Sequence, residues 1–143
     1  MPYDTSTKRN TAFVNTMIAY ATYFVGKIDY ASSVTGDDPN GLRYKKLRAG
    51  GKTDCSWYVY HVLYKFGLVG DEFIHSYEWG NDPSTYPGGV NIGTDVCKAS
   101  PGDIICTGKG TSGSNSHVAI YIGGGKVVEC AAGYGVIISS APS

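Results

Sequence analysis

Residues 51–60 read GKTDCSWYVY. Thr53, Asp54, Cys55 and Ser56 form a polar patch, and an apolar run follows. Val59, Val62, Leu63 and Phe66 fall at i, i+3, i+4 and i+7, one face of a helix. The spacing predicts a helix over residues 55–66. Gly67 suits its end, because glycine takes the left-handed conformation that closes helices. Asp54 suits its start, because its carboxylate can accept from an orphan N–H of the first turn. Extending the stripe by one turn toward the N-terminus lands on Cys55, so the thiol should point to the core layer. Two roles fit a cysteine at that seam. It is a small core residue, or a nucleophile whose thiolate gains from the N–H groups and dipole of a helix start.

Upstream, residues 10–25 place Phe13, Met17, Ala21, Phe24 and Val25 on one stripe, which argues an amphipathic helix. Residues 26–53 are polar and rich in glycine, with Asp37-Asp38-Pro39-Asn40-Gly41 as a turn signal, and are expected to form a long loop. A short helix is expected over residues 71–79 and another loop over 80–100. From Pro101 the pattern changes. Ile104, Ile105 and Cys106 run apolar, and residues 117–122 alternate. Gly123-Gly124-Gly125 is a turn, and residues 126–130 and 133–139 read as two further strands. Helices first and an antiparallel meander afterwards make an α+β layout. At 143 residues the chain has the size of one domain, and no repeat or linker divides it.

The formal net charge is zero, which disfavours nucleic acid or an anionic membrane as a bulk partner. No apolar run approaches the roughly 18 residues of a membrane span, so no membrane insertion is expected. The N-terminus, MPYDTSTKRN, shows no signal peptide. The four cysteines lack a CxxC pair, too sparse for a disulfide framework and too far apart for zinc. No metal or cofactor is expected. Arg43, Lys45, Lys46, Arg48 and Lys52 precede the helix with no acid among them. They suit a solvated loop, or contact with an anionic polymer.

A cysteine nucleophile needs a base, usually histidine. His61 lies about 240° around the helix from Cys55 and cannot turn back to it. It is expected to be exposed, and His75 to lie on the surface. His117 opens a strand on which Val118, Ile120 and Ile122 face one way and His117, Ala119 and Tyr121 the other. It is the base candidate. If Gly123-Gly124-Gly125 is a three-residue loop, Ile122 pairs with Lys126. Glu129 then lies opposite Ala119, diagonal to His117 on the same face, within reach as an orienter. A two-residue loop would send Glu129 to the other face. Cys97, Cys106 and Cys130 are expected to be packing or incidental residues, with Cys130 on the core side. Trp57 and Trp79 are read as packing residues too.

With these residues assembled, the chain resembles the NlpC-type cysteine peptidases, papain-like hydrolases of bacterial cell-wall peptides. Asp54-Cys55-Ser56 opening an apolar helix looks like their nucleophile motif. Pro101-Gly102-Asp103-Ile104-Ile105 looks like their PGD strand. The run from His117 to Gly125, HVAIYIGGG, looks like their histidine hairpin. The three motifs arrive in the family's order, and the similarity covers about residues 11–140. Residues 25–30 and Tyr134-Gly135-Val136 bring the pattern nearest to phage lysins. The resemblance implies a papain-like fold, with N-terminal helices packed on a central antiparallel sheet. It implies Cys55 as nucleophile, His117 as base and Glu129 as third polar residue. Glutamate there departs from the family's usual His, Asn or Gln. Tyr30 matches a tyrosine near the oxyanion site, and Asp54 and Ser56 would help hold the substrate.

The implied partner is bacterial peptidoglycan. The implied reaction is cleavage of a stem-peptide amide bond after a D-glutamyl or D-glutaminyl residue. An N-acetylmuramoyl-L-alanine amidase and a catalytically silent wall-binding module are the alternatives. A lysin without a signal peptide is made in the host cytoplasm and meets the wall after release. A single catalytic domain over residues 1–143 leaves no room for a wall-binding domain, which would be a separate domain or subunit.

Overall fold

Asn10 opens the first helix, its side chain accepting from Phe13 N at 3.0 Å, and α1 runs Thr11–Tyr23. The structure, a computed structural model, describes residues 10–31, 49–70, 93, 95–107 and 116–142. Of the loop expected over residues 80–100, residues 93 and 95–100 are described, with a short 3-10 turn at Val96–Lys98. The rest of that loop and the helix expected over residues 71–79, with His75 and Trp79, lie outside the described residues. So do the turn at residues 37–41 and the basic side chains Arg43, Lys45, Lys46 and Arg48. Helix α1 buries Met17, Ala21 and, at its C-cap, Phe24, as its stripe requires, and Val14 joins them.

The second helix, α2, runs Cys55–Lys65, and Gly67 closes it at φ +73°. It is not the one-faced helix that the stripe suggests. Eight of its eleven residues are buried, Tyr58, Tyr60 and His61 among them. Buried tyrosine hydroxyls need partners. Tyr58 donates to the Ala21 carbonyl and Tyr60 to that of Gly70, each at 2.7 Å. The expected exposure of His61 is thereby corrected. Its ring packs beside Trp57 and Tyr60, with centroids 5.7 and 6.2 Å away. A helix flanked on most sides is buried nearly all round.

Residues 26–53 are not wholly loop. Strands β1 (Asp29–Tyr30) and β2 (Lys52–Thr53) pair in parallel, Tyr30 against Thr53. Strands β3 (Ile104–Thr107), β4 (His117–Gly123), β5 (Lys126–Ala131) and β6 (Gly135–Ser140) form an antiparallel sheet in sequence order. One face, with Val118, Ile120, Val128, Cys130 and Val136, packs in a common core with α1 and α2. The other face gathers Ala119, Tyr121 and Val127 with Ile105, Val96 and Ala99. The chain is thus an α+β fold with helices against a central antiparallel sheet, as expected.

The PGD turn before β3 is tied at both ends. Ser100 N donates to Asp103 Oδ2 at 2.7 Å, and Gly102 N to the Tyr121 carbonyl at 2.8 Å. Gly102 has φ +94°, and a Cβ there would press on Val14 at 3.3 Å, so the turn lies close on α1.

The β4–β5 hairpin differs from the expected three-residue loop. Gly123 pairs with Lys126 across a two-residue loop, while Tyr121 pairs with Val127 and Ile120 with Val128. Ile122 is the extra residue of a bulge, and the bulge reverses the face swap that a two-residue loop would cause. Glu129 therefore stays on the face of His117.

Gly135 makes one close approach possible. It has φ +76°, and a Cβ would collide with the Ile28 carbonyl oxygen. That oxygen accepts from Val136 N at 3.0 Å, seating the segment before β1 on β6. Gly135→Ala combines a left-handed cost of about 1–2 kcal/mol with overpacking of about 1–3 kcal/mol. We expect a loss near 3 kcal/mol in urea denaturation, and a loss below about 1 kcal/mol would contradict the close approach.

Candidate active site

Cys55 is the first residue of α2 and is 7 % exposed. It is fixed from both sides. Behind it, Thr53 pairs with Tyr30, and the Thr53 carbonyl accepts from Ala31 N at 2.9 Å and Cys130 Sγ at 3.4 Å. Ahead of it, Asp54 caps the helix, Oδ1 accepting from Trp57 N at 2.8 Å and Ser56 Oγ at 3.1 Å. Asp54 is thus the N-cap read from the sequence, and buried Ser56 is drawn into the same cap.

Tyr30 is half-buried. Burial, with the nearby Cys55, Asp54 and Cys130, raises its phenol above the ordinary value. A phenol held neutral keeps its proton to donate.

His117 is the first residue of β4 and lies opposite Thr107 of β3. Its Nε2 is 3.1 Å from Glu129 Oε1, with side chains 34 % and 15 % exposed. With Nε2 engaged by Glu129, Nδ1 is the nitrogen left for Cys55. The hydrogen bond with Cys55, then that with Glu129, raises His117 to about 9, against the lowering effect of burial. Glu129 is held below the ordinary carboxylate value by His117 and then Ser139, against burial. At neutral pH the pair is an imidazolium and a carboxylate.

The structure therefore brings Cys55, His117 and Glu129 into one contact chain and sets Tyr30 beside Cys55. Ser139, on β6, was not singled out by sequence reasoning. Its hydroxyl donates to Glu129 Oε2. The usable signal was the β5–β6 turn. Ala131 pairs with Gly135, so Glu129 pairs with Ile137 and Ser139 becomes its diagonal neighbour.

The other cysteines are differently placed. Burial raises the thiol of Cys130 far above its ordinary value and pushes Cys106 up to about 12, which makes both poor nucleophiles. Cys97 is exposed, which fits the incidental role left open for it. Trp57, half-buried against the helix-side core, is packing as expected. Among the described residues, no three His, Cys, Asp or Glu side chains gather to hold a metal ion, and no helix is long and apolar enough to cross a membrane.

No curated protein sequence matches the chain. A NlpC/P60 family protein from Bacillus cereus ATCC 10987 shares the fold at TM-score 0.57 and 19 % identity, over 89 % of this chain and 34 % of its own. The chain thus spans about a third of that protein's length. The NlpC/p60 domain of the peptidoglycan hydrolase SagA shares the fold at TM-score 0.52 and 22 % identity, over 89 % of this chain and 88 % of that domain. The sequence profile of the NlpC/P60 family matches residues 36–143, from before Cys55 to beyond Ser139. On that match and the shared fold, the chain belongs to the NlpC/P60 family.

Proposed function

We propose that the chain is a cysteine peptidase that hydrolyses an amide bond of bacterial peptidoglycan. Cys55 is the nucleophile, His117 its proton partner, Glu129 the orienter and Tyr30 an oxyanion donor. The contact chain from Cys55 through His117 to Glu129, set at a helix start in a member of this family, carries the reading. SagA, a peptidoglycan hydrolase of the same fold, supports the substrate.

The chemistry follows from the positions. The Cys55 thiolate attacks the amide carbonyl carbon, and the backbone N–H of Cys55 and the Tyr30 hydroxyl stabilise the oxyanion. The carbon–nitrogen bond breaks as His117 gives its Nδ1 proton to the leaving amine. A thioester to Cys55 remains. Neutral His117 then takes a proton from water, the hydroxide oxygen attacks the thioester, and the sulfur–carbon bond breaks. Cys55 is released as the thiolate, the imidazolium is restored, and the carboxylic acid product gives its proton to solvent as it departs. Asp54 and Ser56, locked in the cap, hold the nucleophile and edge the substrate path.

The bond we assign follows a D-glutamyl or D-glutaminyl residue of the stem peptide. The lysin-like motif order, from residues 25–30 through the hairpin to Tyr134-Gly135-Val136, supports a phage-lysin setting. Mass spectrometry of purified peptidoglycan after digestion tests the reading. Cut stem peptides from the wild type and not from Cys55→Ala are expected. Free lactyl-muramic ends would reassign the enzyme as an amidase. Intact walls of several types would overturn the hydrolase reading and favour a wall-binding module.

A further inference from the structure

Glu129 has two carboxylate oxygens, and two other strands hold them. Oε1 meets His117 Nε2 of β4, and Oε2 accepts from Ser139 Oγ of β6. A glutamate has three rotatable bonds, and its last torsion is broad. With one hydrogen bond the carboxylate still turns about that torsion. A second donor on the other oxygen fixes its plane. Glu129 and Ser139 are both partly buried, where such bonds are stronger than in water.

We propose that Ser139 is a positioning residue that clamps the Glu129 carboxylate so that the His117 ring stays turned toward Cys55. The proposal rests on the roles assigned above to those three residues. Ser139 touches neither the substrate nor the reacting atoms and acts through Glu129. Its hydrogen bond also helps keep Glu129 ionised, after the larger effect of His117. The same β6 strand carries Val136, bonded to the Ile28 carbonyl two residues before Tyr30. One edge strand thus supports both sides of the site.

Ser139→Ala and Ser139→Thr test this in three measurements: thermal melting, steady-state kinetics on peptidoglycan, and the His117 titration by NMR. In the alanine variant kcat should fall about tenfold, the low end of what losing an outer hydrogen-bond partner does to a metal-bound histidine site. KM should change little, and the His117 titration should move below about 9. Threonine keeps the hydroxyl and should restore both kcat and the titration. A wild-type titration and kcat in Ser139→Ala would overturn the proposal. So would equal impairment of both variants, which points to volume rather than the hydroxyl. If wild-type protein leaves peptidoglycan intact while the titration moves in alanine and returns in threonine, the clamp stands and the substrate assignment fails.

Discussion

Cys55→Ala is expected to abolish peptidoglycan hydrolysis, lowering kcat/KM by about 10⁴-fold or more, while the protein stays folded. The variant loses the sulfur that forms the acyl bond in the proposed mechanism, and neither Cys130 nor Cys106 is placed to replace it. The Cys130 sulfur is buried and already donates to the Thr53 carbonyl. The Cys106 thiol is pushed up to about 12. Removing one buried sulfur costs about 1 kcal/mol of packing, a few degrees of Tm for a domain this size. A second readout separates a lost nucleophile from a disturbed fold. The contact with Cys55 is the largest cause raising His117, so without it the titration should drop from about 9 toward the ordinary 6.5. Glu129 should still hold it above that ordinary value. Hydrolysis surviving in Cys55→Ala would remove the nucleophile assignment. A His117 titration still near 9 would remove the contact.

Much of this site was legible because its signals are local. The stripe Val59, Val62, Leu63 with Asp54 before it sets the helix that carries Cys55, and period and capping need only a few residues. The alternation after His117 likewise announces its strand. What depended on two segments at once was harder. The register that places Glu129 came out right although the loop length was wrong, because the bulge at Ile122 offsets the shorter turn. Three glycines in a row serve either turn, so the sequence does not choose between them. The β1–β2 pair joins two residues to two, too few for any period to show. His61 failed as a polar residue off the apolar stripe. A one-face pattern says nothing of a helix whose other sides are covered by aromatic neighbours. Ser139 needed the β5–β6 register, which follows only when the turn between Ala131 and Gly135 is known.

Glu129→Gln is expected to move the alkaline limit of activity below about pH 9, and Glu129→Ala to lower kcat/KM by about 10²-fold. The sign follows from which state each group prefers. His117 is raised from 6.5 to about 9, so its proton stabilises the fold fully below about pH 6.5. That contribution fades as pH rises and is gone above about 9. Glu129 is lowered from 4.5, so its contribution is present above 4.5 and disappears as pH falls through its folded value. Between those limits the imidazolium and the carboxylate coexist, and the imidazolium is the acid that the leaving amine needs. Glutamine can still accept from His117 Nε2 and so preserves the ring's orientation. It removes the charge, the last of the causes that raise His117, and turns the second cause, the hydrogen bond to a carboxylate, into a weaker one to a neutral amide. Cys55, the first cause, remains, so the limit should settle between 6.5 and about 9. A neutral third residue, as the resemblance leads one to expect, orients the ring without holding its proton. A carboxylate does both, which extends the working range toward alkaline pH. A pH profile of kcat/KM for wild type and Glu129→Gln, beside the His117 titration, checks this. An alkaline limit unchanged in the glutamine variant would mean that the charge of Glu129 does not hold the proton and that the side chain acts on the ring by geometry alone.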